Sequence, residues 1–371
     1  MQTTKFKKQI RTAEPYFSPE EQQEILREVP GILTEQLSMG KHVAAFEKEF
    51  AQKFDATFAV ALNSCTSALE IALSYLNLKA DDEVIVPSQT FVATGMAVHL
   101  SGAKIVFAEI DPGTFCLDFE DVKRKVTSRT KAVIIVHFVG TISPDILELR
   151  KFCDDRRIFL IEDAAHAPGA TIDGRFSGTI GHAGCFSFFP TKILTCGEGG
   201  MLTTQDDNMA AYARSMQHRG RDMNAATEQY SHPGRNVRMP EFSALLGRTQ
   251  LRSLDENLAT RRRHAARYHA AFANDKIHPA GASFWKYLLL LDSKIDRDRA
   301  LVRLQESGIF ADKSYDPPVH LQPFFAKNYT IQKGHLPVTE EILAHHICLP
   351  CHNRLSDDDI EFVIKAMTGI L

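Results

Sequence analysis

Charge of one sign is in short supply in this 371-residue chain: 43 lysines and arginines against 46 aspartates and glutamates leave a formal net charge of −3. No basic field therefore points to nucleic acid or to an anionic membrane. Long hydrophobic runs are missing too, and no stretch approaches the length of a transmembrane helix. The polar opening Met1-Gln-Thr-Thr-Lys-Phe-Lys-Lys8 has no apolar run behind it, which argues against a signal peptide. The seven cysteines, at positions 65, 116, 153, 185, 196, 348 and 351, are odd in number and scattered. That usage fits reduced thiols in a cytoplasmic protein rather than a disulfide framework. Cys348-Leu-Pro-Cys351 has redox or half-zinc spacing, but no second CxxC completes a metal site, and none of the 15 histidines shows HExxH spacing. Internal repeats and low-complexity linkers are absent as well. The remainder is ordinary globular material, 44% hydrophobic and 24% charged, with length enough for two unequal lobes.

The chain is organised around Cys185-Phe-Ser-Phe-Phe-Pro-Thr-Lys192 and the following Gly197-Glu-Gly-Gly200. The apolar, aromatic run reads as a buried strand that Pro190 stops. Lys192 stands just past the stop, with no other charge from Cys185 to Cys196. A lone lysine at a strand end is by default a snorkelling surface residue. Three features count against that default. The glycines supply backbone that can take positive φ or approach a ligand closely. A strand resumes at Met201, so the glycine loop lies between buried segments. Upstream, Ile161-Glu-Asp-Ala-Ala-His-Ala-Pro-Gly-Ala170 brings an acid and an imidazole to the end of another apolar strand. Lysine, aspartate and a glycine-rich loop are what a pyridoxal phosphate site requires.

Around this centre, strands alternate with helices. Ser18-Pro-Glu-Glu21 reads as a helix start, and Gly40 opens an amphipathic helix with Val43, Phe46 and Phe50 on one face. Strands are expected at 58–62, 82–87, 104–110, 132–137 and 158–161, which argues for a parallel sheet covered by helices. Ligands on such sheets bind beyond the carboxyl ends of the strands. The helix after Asn63 begins with small hydroxylated residues, suited either to holding phosphate or to plain capping by Ser64 or Thr66. A long polar loop spans 218–234, and such loops are functional or flexible. The pattern changes near Leu254, dividing the chain into residues 1–254 and a smaller α+β domain, 255–371. The arginines of 261–267 read as a solvated face.

The stretches 162–170, 186–192 and 197–200 resemble the DegT/DnrJ/EryC1/StrS sugar aminotransferases, and further matches run from about Gly40 to the C-terminus. Gly40–Phe50 is similar to the family's GPxVxxFExxFA segment, with Lys41 where proline is usual. Gly234–Gly247 is similar to its GxNxRMxExxAAxG segment. The resemblance implies a pyridoxal-phosphate transferase of fold type I, a large domain with a mainly parallel, helix-covered sheet plus the smaller C-terminal domain. It implies catalytic roles for Lys192, as the cofactor-bearing lysine, and for Asp163, as partner of the pyridine nitrogen. Thr66, Ser67 and Ser187 would contact phosphate, with Cys65 where glycine is usual. Phe91 would stack on the ring and His166 would bond its phenolic oxygen. Asn236 would reach the phosphate of the neighbouring subunit in a homodimer, and His320 would lie near the substrate. Residue by residue, bland readings stand beside these: Phe91 as core, Asn236 as a turn former, His320 as structural. The implied reaction moves an amino group from an amino acid, L-glutamate, to a nucleotide-linked keto sugar, for lipopolysaccharide or antibiotic sugars. Alternatives are a sugar dehydratase of the same fold, which the resemblance says carries histidine in place of this lysine, a keto-cyclitol aminotransferase, and a non-catalytic regulator.

Overall fold

A computed structural model describes residues 8–273 and 277–371. Met1–Lys7, on which part of the signal-peptide expectation rests, lies outside the described residues. The described chain enters through a two-residue strand, β1 (Ile10–Arg11), and two helices, α1 (Pro19–Thr34) and α2 (Lys41–Lys53). Ser18 caps α1 as the sequence suggests. Its hydroxyl accepts the Glu21 N–H at 3.2 Å while the Glu21 carboxylate accepts the Ser18 N–H at 2.7 Å. Helix α2 has no such local cap. Glu241, buried and about 200 residues further on, accepts the N–H groups of Gly40, His42 and Val43 at 2.8, 2.8 and 3.0 Å. A Cβ on Gly40 would lie 2.9 Å from that carboxylate, so the position needs glycine for room. Lys41 takes its place in the first turn and ion-pairs with Glu35.

Strands and helices then alternate through β2 (Phe58–Leu62), α3 (Cys65–Tyr75), β3 (Glu83–Pro87), α4 (Val92–Leu100) and β4 (Lys104–Ala108). The series continues with α5 (Phe119–Lys125), β5 (Thr130–Val136), α6 (Ile146–Arg156) and β6 (Phe159–Asp163). A short hairpin, β7 (Thr171–Ile172) and β8 (Arg175–Phe176), precedes β9 (Ala183–Ser187) and β10 (Gly200–Thr204). Seven strands form one sheet in the order β2-β10-β9-β6-β5-β3-β4. Its pairings are parallel except for those of β10, which runs antiparallel to β2 and β9. The sheet is the mainly parallel one expected.

Three helices follow: α7 (Asp207–Gln217), α8 (Glu241–Arg252) and α9 (Leu254–Phe272). Alternate side chains of a strand face opposite sides of the sheet. Val60, Leu62 and Leu202 pack against Leu69 and Leu73 of α3 and Met209 of α7. Ala59, Ala61 and Met201 face the phenylalanines of α2. There the Phe50 ring centroid lies 4.4 Å from Phe54, 5.0 Å from Phe186 and 5.7 Å from Phe188. Phe50→Ala would open a cavity among these rings and is expected to cost about 3–5 kcal/mol. The measurement is a lower urea midpoint at unchanged slope.

The C-terminal part builds its own core from β11 (Tyr287–Leu290), α10 (Arg297–Glu306), β12 (Ile309–Phe310), α11 (Pro323–Asn328), α12 (Pro337–Ala344), β13 (His346–Leu349) and α13 (Asp357–Thr368). β11 pairs antiparallel with β13, and β12 pairs in parallel with β1. Tyr268 of α9, Leu289, Ile347 and Val363 pack together here. The expected solvated arginine face is only partly right. Arg263 is exposed, but Arg261 is buried and donates to the carbonyls of Phe284, Trp285 and Cys351. That side chain fastens α9 to the C-terminal core. All seven cysteines are free and buried. Among the described residues, no helix is long and apolar enough to cross a membrane, and no group of three or more His, Cys, Asp or Glu could hold a metal ion.

Candidate active site

Strand β6 ends in two adjacent acids, and the pleat sends them to opposite sides. Glu162 turns away from the site. It accepts the N–H groups of Gly178 and Ile180 at 2.7 Å each and bonds His137 Nε2 at 2.7 Å, pinning the loop before β9. Asp163 turns into a cavity of about 440 Å³ that lies beyond the strand ends and is shared with Lys192. Thr94 Oγ1 donates to Asp163 Oδ2 at 2.9 Å, and the Ala165 N–H donates to Oδ1 at 3.2 Å. The carboxylate is 5% exposed, and among the described residues it makes no ion pair. Burial raises its pKa above the usual carboxylate range, and the Thr94 and Ala165 hydrogen bonds oppose that shift. A buried acid short of a cation is a receptor for one.

Lys192 follows β9 and Pro190, as the sequence suggests. Burial lowers its pKa from the ordinary lysine value to about 7, against the pull of Asp163. Burial thus favours the free amine, the form that acts as base or nucleophile. Its Nζ lies 4.2 Å from the Trp285 ring centroid, and the Trp285 indole N–H donates to the Thr191 carbonyl at 2.6 Å. The glycine loop takes positive φ at Gly197, as expected, and lines the cavity through Glu198 and Gly199; Gly199 and Gly200 also permit close packing within the chain. A Cβ on Gly200 would lie 2.3 Å from the Ser64 backbone, and one on Gly199 would lie 2.4 Å from Cys196 Sγ. The close approach is between β10 and the start of α3, within the chain itself.

Helix α3 presents its N-terminus to the same cavity through Ser64, Cys65 and Thr66. Its first N–H groups lack intrahelical partners and carry the positive end of the helix dipole. Ser64 is the N-cap, accepting the Ser67 N–H at 3.1 Å, so plain capping and an anion-ready helix end coexist. Ser187 also lines the cavity, whereas Ser67 does not. The Ser67 hydroxyl is turned back to Asn63 Oδ1 at 2.7 Å. Phe91 and Phe189 form an exposed rim, 54% and 44% accessible. Phe91 is therefore not core.

His166 stacks on Trp285 with ring centroids 3.8 Å apart, and its Nε2 meets the Tyr315 hydroxyl at 2.9 Å. Burial, and then the charges of Lys192 and Lys286, hold its pKa well below the usual value. Its Nδ1 is buried without a hydrogen-bond partner. The structure does not bring His320 to the cavity. That ring is fully buried, with Nδ1 bonded to Ser88 Oγ at 2.6 Å and Nε2 to Glu340 at 3.1 Å. No ring nitrogen is left for a ligand in this placement. Asn236 is exposed and outside the cavity of its own chain, bridged to His218 through the backbone.

The sequence reading missed Thr94, Trp285, Lys286, Ser314 and Tyr315. Thr94 had a usable signal, standing three residues after Phe91 and so on the same helix face. Tyr315 stands five residues before His320 and carried no such signal. The cavity fits pyridoxal phosphate: a hydroxylated helix N-terminus for the phosphate, an uncompensated acid for the ring nitrogen, an orphaned imidazole nitrogen and a near-neutral amine.

Known proteins carry the same pattern. The model of the DegT/DnrJ/EryC1/StrS aminotransferase family matches residues 19–368. The chain is 35% identical to the spore coat polysaccharide biosynthesis protein SpsC of Bacillus subtilis, covering 96% of this chain and 97% of that one. It is 36% identical to a GDP-perosamine synthase of Caulobacter vibrioides, over 90% of this chain and 91% of the other. Among solved structures, the aminotransferase TlmJ of Streptoalloteichus hindustanus superposes with a TM-score of 0.88 at 30% identity, covering 97% and 98% of the two chains.

Proposed function

Because the chain belongs to the DegT/DnrJ/EryC1/StrS aminotransferase family and is a pyridoxal-phosphate-dependent transaminase of amino-sugar biosynthesis, we propose that it transfers the amino group of L-glutamate to a nucleotide-linked keto sugar. The observation that carries the reading is one buried cavity at the ends of parallel strands holding both Lys192 and Asp163. A lysine at 192 also argues against the dehydratase alternative. We assign the protein to the cytoplasm and place the boundary of the small domain near Leu254.

Bound pyridoxal phosphate supplies an electron sink that accepts the pair released when the donor's Cα–H bond breaks. The chain supplies the rest. Lys192 would hold the cofactor covalently at rest and, once released, move a proton to and from the reacting carbon; burial keeps its lone pair available near pH 7. Asp163 would ion-pair with the ring nitrogen and keep it protonated, its carboxylate aimed by Thr94 and Ala165. Thr66, Ser187 and the N-terminus of α3 would hold the phosphate. Ser67 would contribute through its backbone and through the cap it completes. His166 would face the cofactor from its stack on Trp285, held there by Tyr315. Phe91 would close over the ring from the rim.

The test of the substrate class is a panel of nucleotide-linked keto sugars and keto-cyclitols offered with L-glutamate, with aminated product read by mass spectrometry. Product from a nucleotide sugar is expected. Product from a free keto-cyclitol alone would replace this reading with the cyclitol one.

We further propose a homodimer with shared sites. The half-exposed rim of Phe91 and Phe189 and the exposed Asn236, in the segment that resembles the family's, support it. Asn236 would then serve the partner's phosphate. Lys192→Ala subunits and Asn236→Asp subunits, each inactive alone, should regain activity when mixed, because one site of each heterodimer carries neither lesion. A mixture as inactive as its parents after confirmed subunit exchange means that Asn236 serves its own chain.

A further inference from the structure

The cavity has a short inventory of positive charge. Among the described residues, Lys192 and Lys286 are the lysines that line it and no arginine does, while burial holds the His166 pKa well below its usual value. Lys192 needs its lone pair for proton transfer. An amino-acid donor must nevertheless bring an α-carboxylate into this space, and a buried carboxylate requires a paired, hydrogen-bonded counter-charge.

Lys286 stands immediately before β11, on the C-terminal side of the site, with 7% of its side chain exposed. Its Nζ donates to Asp312 Oδ2 at 2.5 Å and to Ser314 Oγ at 2.8 Å. Ser314 Oγ donates in turn to Asp312 Oδ1 at 2.7 Å. Both Lys286 Nζ and Lys192 Nζ lie 4.2 Å from the Trp285 ring centroid, so the two amines share one indole. An ammonium carries three N–H donors, and Asp312 and Ser314 occupy two. Among the described residues no third hydrogen-bond acceptor meets this ammonium besides its contact with the Trp285 ring, and Lys286 lines the cavity that must receive the anion. Asp312 does not line that cavity and its side chain is 38% exposed, so water shares its charge.

We infer that Lys286 binds the α-carboxylate of the amino-acid donor, with Ser314 as the positioning residue that holds its ammonium and Asp312 as the resident anion with which that carboxylate competes. The inference rests on the aminotransferase reading above and adds to it the group that recognises the donor. A hydrogen bond to a charged group is the strong kind. The keto sugar lacks the carboxylate, so loss of Lys286 should fall on the donor and not equally on the acceptor.

The experiment uses cofactor-loaded enzyme with Lys286→Met, Lys286→Arg and Asp312→Asn, each checked by thermal melting. Maleate, a dicarboxylate with no amine to transfer, is titrated by calorimetry, and KM is measured separately for L-glutamate and for the nucleotide sugar. Lys286→Met should weaken maleate binding and raise the L-glutamate KM by roughly 10–100-fold. The nucleotide-sugar KM should change far less, and Lys286→Arg should recover most of the lost maleate affinity. Asp312→Asn keeps the lysine but removes its competing anion, so maleate should bind more tightly. Unchanged maleate affinity in Lys286→Met overturns the inference. Should that variant fail to fold, unchanged or weaker maleate binding in Asp312→Asn overturns it equally. Wild-type enzyme that accepts no amino-acid donor would sink the aminotransferase reading itself, whereas a wild type using L-glutamate beside an unaffected Lys286→Met sinks this inference alone.

Discussion

Lys192→Ala is expected to lower amino transfer by at least about a thousandfold while leaving the fold intact. A positioned general acid–base contributes roughly 10²–10⁴-fold, and here the same side chain is also the covalent anchor. Within the cavity no second amine replaces it, because Lys286 is tied to Asp312 and Ser314. Removing Lys192 also relieves a buried amine whose burial already opposes its charge, so the apoprotein should melt no lower than wild type. The measurements are turnover with L-glutamate and the accepted nucleotide sugar, circular dichroism, and cofactor retention on gel filtration. Some cofactor should remain, held by the phosphate end alone. A variant with near-wild-type turnover removes Lys192 from its role and the proposed chemistry with it.

Asp163→Asn should be nearly as damaging by a different route. The amide can keep both hydrogen bonds, its oxygen accepting the Ala165 N–H and its nitrogen donating to Thr94 Oγ1, so packing is preserved. What disappears is the negative charge. Breaking one side of a buried ion pair costs about 3–5 kcal/mol, which would slow the L-glutamate half-reaction by roughly two to four orders of magnitude. Single-turnover rates in that half-reaction are the check, and unchanged rates would dismiss the role. The apoprotein carries an opposite sign. Burial raises the Asp163 pKa in the folded state, so its charge costs stability at neutral pH, and the cost is relieved as pH falls through the raised value. Apo wild type should therefore gain on apo Asp163→Asn in melting temperature as the solution is acidified.

These two residues were legible in sequence because their positions follow local grammar. An apolar strand, a proline stop and a lone lysine stay together wherever the strand is placed, and an acid ending a parallel strand points toward ligand space. The resemblance singled out Asp163, and the pleat sends Asp163 toward the cavity and Glu162 away from it. Ser67 and His320 show where that grammar ends. Both belong to segments near the site, but a hydroxyl satisfied by Asn63 and a ring satisfied by Ser88 and Glu340 depend on tertiary partners. Trp285, Lys286 and Tyr315 were silent for the same reason. They arrive about 100 residues after Lys192 in sequence, and only the packing of the C-terminal core against the sheet brings them to it. Arg261 misled through composition: three adjacent arginines look solvated, yet helical geometry turns the first inward.

The pairing of β1 with β12 sets a schedule for synthesis. Ile10 and its partner Ile309 are separated by about 300 residues. At about 5–20 residues per second, the first strand waits on the order of 15–60 s on the ribosome for the strand it will join. All seven strands of the main sheet are translated within that interval, so the large domain can collapse while the N-terminal segment is still unpaired. The C-terminal core, which needs β1, β12 and α13 together, is completed only once α13 has emerged. The entry strand is thus made before the main sheet and docked after it, and the lysine that it neighbours in space, Lys286, waits for the same docking.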